Sequence, residues 1–184
     1  MRTRTFLKAG LTATAVTATA LVGAALVPGV ATGSTGSAGT GDQPVGAAVA
    51  ELRKLVDPYT DVQRALADGF VPTEHCIPGM GYHYVNVERA MSGAVAADQP
   101  VILLYQPAKG GGLQLAGAEF MKPDADQDLS TDEDRPFLWG QPFDGPMAPH
   151  EPGTPAHYDL HVWTHVANPD GVLTAWNPRV SCSS

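Results

Sequence analysis

The chain has 184 residues, eleven basic and nineteen acidic, for a net charge of −8 at pH 7. That balance disfavours a phosphate-binding surface for nucleic acid and favours attraction of cations. Setting aside a leader that carries three of the basic residues leaves about 150 residues with a net charge near −11, enough for one domain around one core.

The leader is read from "MRTRTFLKAG", with Arg2, Arg4 and Lys8, followed by the uncharged run "LTATAVTATALVGAALV" and then "PGVATG". A basic end, an apolar middle and small residues at Gly29 and Ala31 make a secretory signal over 1–31. The competing reading is an uncleaved membrane anchor, because the run just reaches spanning length. Its Thr, Ala and Gly content favours removal, and no later stretch is long and apolar enough to span. Residues 32–44, "TGSTGSAGTGDQP", read as a disordered Gly/Ser/Thr tether. A single α+β domain is expected over 45–184.

Within that domain, "VGAAVAELRKLV" repeats Val45, Ala48, Val49, Leu52, Leu55 and Val56 at helical spacing. "DPYTDVQRALADG" reads as a second helix, capped by Asp57, with Pro58 in its first turn and Gly69 at its end. "GYHYVNV" (81–87) then alternates Tyr82, Tyr84 and Asn86 against His83, Val85 and Val87. "VILLYQ" (101–106) looks like a strand buried on both faces, and "LQLAGAEFM" (113–121) returns after a Gly-rich turn, with Leu113, Leu115 and Glu119 on one face. Residues 122–156 read as irregular, docked through Phe137 and Trp139 of "FLWG". "AHYDLHVWTHVA", "NPDG" and "VLTAWN" read as a hairpin, although Thr154–Pro155 could instead start a helix. The fold expected is two N-terminal helices on an antiparallel sheet.

Three of the six histidines fall in "HYDLHVWTH" (157–165). On a strand, His157, Asp159, His161, Trp163 and His165 share one face. Histidines four apart on a strand lie about 13 Å from each other, so one ion needs partners from neighbouring strands. His83 and Glu119 are the candidates. The ligand set expected is His83, Glu119 and His161, with His157 or Asp159 as a further ligand or a support. Imidazole with carboxylate suits zinc, copper or iron. A half-buried structural role remains the alternative for each histidine, and no HExxH or CxxC motif singles out a site.

The acidic run "DADQDLSTDED" places Asp124, Asp126, Asp128, Ser130 and Asp132 at alternate positions of a calcium loop. Leu129 and Arg135 stand where that loop needs Gly and Glu, so calcium over 124–132 is disfavoured and a solvated loop is the default. No GxSxG elbow is present, and nothing marks a particular pair of acids for glycoside hydrolysis.

The two cysteines are Cys76 and Cys182. In an oxidising compartment an even count favours a bridge, which would stabilise by about 4–5 kcal/mol in the chain-entropy model. The alternative makes Cys76 a thiolate ligand or nucleophile beside His75.

"ADGFVPTEHCIPGMGYHYVN", "VILLYQPAKGGGLQLAGAEFMKP" and "LHVWTHVANPDGVLTAWNPRVSC" together resemble a group of secreted bacterial proteins of unknown function. The resemblance spans roughly 57–182. It implies a secreted single domain in which Cys76, His83, His161 and Cys182 occupy shared motif positions, and it implies no activity. Two functions follow as expectations. The first is a secreted transition-metal-binding domain with hydrolytic or redox chemistry as its outlet. The second is a non-catalytic small-ligand or envelope-interaction module with a pocket lined by Tyr82, Tyr84, Trp139 and Trp163.

Overall fold

The computed structural model describes residues 44–149 and 153–183. The signal reading and all but the last residue of the tether reading lie outside the described residues. Helix α1 spans Val45–Val56 and buries Ala48, Leu52 and Val56, the stripe its spacing foretells. The second expected helix divides. Asp57–Thr60, with Pro58 inside it, forms a 3-10 turn. Helix α2 then spans Val62–Ala67 and is capped by Asp61, whose side chain accepts from the Gln63 amide at 2.9 Å. Asp61 competes for that backbone donor in an extended conformation, which stops one helix from running through.

Strand β1 (Phe70–Ile77) follows, then β2 (Gly81–Asn86), a short helix α3 (Val87–Ser92), β3 (Ile102–Pro107) and β4 (Leu113–Pro123). Next come β5 (Phe137–Leu138), β6 (Gln141–Pro142), β7 (Asp144–Met147) and β8 (His157–Val162). Strands β5 and β6 form a small ladder of their own. The other six make one antiparallel sheet in the order β1-β2-β3-β4-β8-β7. The fold is α+β, with three α-helices among the described residues.

Both faces of this sheet are covered. Leu103, Tyr105, Phe120, Tyr158 and Leu160 pack one face against Leu52 and Val56 of α1 and Ala65 of α2. The Tyr105 hydroxyl donates to the Tyr59 carbonyl at 2.6 Å, fastening the 3-10 turn to β3. Ile102, Leu104, Ala116, Met121 and Trp163 form a second cluster on the opposite face. Alternation along β3 thus feeds both layers, as a strand buried on both sides requires.

Strand β4 breaks the alternation. Leu104 pairs with Gly117 and Tyr105 with Leu115, so one extra residue sits in β4. That bulge turns Leu113 and Leu115 toward the helices and Glu119 and Met121 toward the other face. The shared face expected for Leu115 and Glu119 is therefore corrected. Gly117 sits at the bulge, where an added Cβ would lie 2.5 Å from the Val162 carbonyl oxygen.

The C-terminal hairpin is corrected as well. The Asn168–Gly171 turn forms, with the Gly171 amide donating to the Asn168 carbonyl at 3.3 Å, but 172–177 is not a strand. The partners of β8 are β4 and β7. Residues 172–177 coil back beside Trp163, whose ring nitrogen donates to the Thr174 carbonyl at 2.6 Å. In the stretch read as irregular, Leu138, Trp139 and Phe143 are the buried anchors, whereas Phe137 is 61 % exposed. Cys76 and Cys182 form a disulfide with a Cα–Cα distance of 5.7 Å, joining β1 to the C-terminal segment. The thiolate alternative for Cys76 is thereby replaced.

Candidate metal centre

Strands β4 and β8 set Glu119 directly opposite His161. Cross-strand neighbours in that arrangement have Cβ atoms about 5 Å apart, so carboxylate and imidazole meet without distortion. His83 of β2 comes from two strands away and reaches across β3, where it pairs with Leu104 while Glu119 pairs with Ile102. Its Nε2 lies 3.4 Å from Glu119 Oε2, and His161 Nε2 lies 3.5 Å from the same oxygen. One ligand atom from each of the three residues falls within 4.8 Å of the others. Ligands about 2.1 Å from a tetrahedral metal are separated by roughly 3.4 Å, so these spacings match a coordination edge. A buried His83/Glu119/His161 group of this shape could hold a metal ion.

Burial sets the electrostatics. The side chains of Glu119 and His161 are 4 % and 1 % exposed. Glu119 Oε2 and both ring nitrogens of His161 are buried with no well-formed hydrogen bond, a condition native interiors rarely leave uncompensated. Burial raises the Glu119 carboxyl to about 8, with Asp159 adding to the rise and His161 opposing it. Burial alone would lower His161, but Glu119, Asp159 and Asp144 together push it up to about 9. The metal-free site therefore holds protons that a cation would displace.

Asp159 stands behind His161, its Oδ1 3.5 Å from Nδ1 while Nε2 faces Glu119. A carboxylate on the far nitrogen of a ligating imidazole orients the ring and raises its basicity. Asp144 of β7 pairs with Asp159, and its carboxyl is raised by burial and by Asp159. Asp144 escaped the sequence reading because its strand spans four residues within a proline-rich stretch that carries no alternation.

The remaining predicted residues go elsewhere. His157 shares the sheet face but sits a full four residues along β8. Its Nδ1 donates to the Pro155 carbonyl at 2.9 Å. His165 leaves the histidine face, because β8 ends at Val162 and the chain turns; its Nε2 lies 3.5 Å from Asp57 Oδ1 on the helix side. The four aromatic residues assigned to a pocket are dispersed. Tyr84 and Trp139 belong to the helix-side core with Tyr82 packed on it, and Trp163 stacks on His161 at 6.1 Å on the other face. In the acidic loop, Asp126 and Asp128 accept from the amides of Asp128 and Ser130, and Asp132 pairs with Arg135.

A cleft of about 540 Å³ opens beside the triad, with His83, Glu119 and His157 in its wall. The four aromatics are absent from its lining, which includes Val85, Ile102 and Met121.

No protein-family model, curated protein or solved structure matches this chain. The case for function is carried by the geometry of the triad and its cleft.

Proposed function

We propose that this protein binds one divalent transition-metal ion through His83 Nε2, Glu119 Oε2 and His161 Nε2, as a secreted single domain spanning 45–184. Two imidazoles and one carboxylate suit zinc, copper or iron. The observation that carries the proposal is the convergence of these three buried side chains, two of which hold polar atoms without hydrogen-bond partners. Three protein ligands leave one position open, and such an ion supplies Lewis-acid or redox chemistry there.

The chain's own residues do the rest. Asp159 holds the His161 ring with Nε2 aimed at Glu119. Trp163 stacks on the same ring and keeps water from its outer side. Glu119 contributes the one anionic ligand and loses its proton as the ion enters. The disulfide suits an extracellular setting, and no helix among the described residues is long and apolar enough to cross a membrane.

Titration of metal-stripped protein with zinc is expected to fill one site and to release protons. Glu119→Gln is expected to weaken that site at least about a hundredfold, since it removes the anionic ligand while keeping the shape. A Glu119→Gln protein that binds zinc as the wild type does would exclude the triad as the ligand set.

A further inference from the structure

The triad borders the cleft described above. His161 is sealed at 1 % exposure, whereas His83 and Glu119 form part of the wall of the neighbouring cleft. An ion held by the triad would be reached through that cleft, and the cleft's lining would select what approaches it.

That lining has a definite chemistry. Val85, Ile102 and Met121, from three adjacent strands, form an apolar floor next to the ligands. Ala90 and Met91 of α3 make one side, with Met91 80 % exposed at the mouth. Among the described residues no lysine or arginine lines the cleft, and the chain carries a net charge of −8. Glu74 and His75 of β1 also stand in the wall; apart from the ion, whose charge Glu119 already halves, the described lining offers a dianionic phosphate no lysine or arginine, and Glu74 repels it. His157, four residues along β8 from His161, also lines the wall. At about 540 Å³ the volume lies within the range of small-molecule sites.

We infer that the cleft takes a small, uncharged organic molecule that presents one nitrogen or oxygen donor to the ion and lays an apolar body along Val85, Ile102 and Met121. This rests on the metal centre proposed above. It goes further by excluding phosphorylated and multiply anionic substrates.

The test uses cobalt-loaded protein, whose visible absorption reports on ligands entering the coordination sphere. Imidazole, 4-phenylimidazole and phenyl phosphate are titrated in turn near pH 8. Wild-type protein is expected to bind 4-phenylimidazole at least about tenfold more tightly than imidazole, with phenyl phosphate the weakest of the three. Val85→Trp, which fills the floor, is expected to keep its cobalt and to shrink the tenfold gap to about threefold or less. Met91→Asp, at an exposed position that leaves the core intact, is expected to weaken 4-phenylimidazole more than imidazole. Cobalt uptake with no gain from the phenyl ring, or with phenyl phosphate bound most tightly, would overturn the inference while leaving the metal centre standing. A gap that survives in Val85→Trp would overturn it too. Failure to take up cobalt at all would remove the metal centre and this inference with it.

Discussion

Proton bookkeeping at Glu119 and His161 governs how the site responds to pH. Both groups titrate higher in the folded chain than in a free one, Glu119 at about 8 instead of 4.5 and His161 at about 9 instead of 6.5. The folded metal-free state therefore holds more protons than the unfolded state near neutrality. Stability associated with the pair is fully present below the unfolded values and is lost as pH rises through 8 and 9. Melting of metal-stripped protein is thus expected to shift to lower temperature between pH 6 and pH 9. Zinc affinity is expected to rise over the same interval, because fewer protons compete. A melting temperature that climbs with pH in the metal-free protein would contradict this account of the pair. Asp159→Asn is expected to reduce zinc affinity about 10–100-fold without changing stoichiometry, since its carboxylate supports His161 from behind. A metal titration of that variant measures the effect directly.

The elements that matter are three strands and one bulge. His83 and His161 were legible in the sequence because period-two alternation in β2 and β8 sorts their faces, and that alternation survives folding. Glu119 was named for its chemistry, yet its face was misjudged. A single residue added between Leu115 and Gly117 inverts the pattern, and nothing in "LQLAGAEFM" separates a bulge glycine from an ordinary one. His165 and the second arm of the hairpin were misread for a related reason. "VLTAWN" has strand composition, but the register slot beside β8 belongs to β7, whose four residues carry a proline and no alternation. The second helix was expected to start from Asp57, but the Asp61 side chain takes the Gln63 amide and starts α2 there. The bulge predicts its own test. Gly117→Ala would drive a methyl to 2.5 Å from the Val162 carbonyl and part β4 from β8. A loss of about 2–3 kcal/mol in denaturant unfolding is expected, with weakened zinc binding because Glu119 and His161 face each other across that seam. Unchanged stability would mean that the two strands are not held at this separation.

At the level of the whole molecule, a sheet covered on both faces divides the labour. The helix side is an apolar core, while the other side carries a smaller cluster with the triad and its cleft. The disulfide closes a span of 106 residues, between β1 and the C-terminal segment. Replacing both cysteines by serine is expected to cost about 4–5 kcal/mol of stability in chemical unfolding. Zinc affinity is expected to change by no more than about threefold, because the ligands sit on β2, β4 and β8, held by ladder pairing and not by the bridge. Elemental analysis of untagged protein purified without chelators is the most direct measurement of the central claim. The account predicts close to one zinc, copper or iron per chain, lost on His161→Ala. Less than about a tenth of an equivalent, with no thermal shift when these ions are added back, would contradict it.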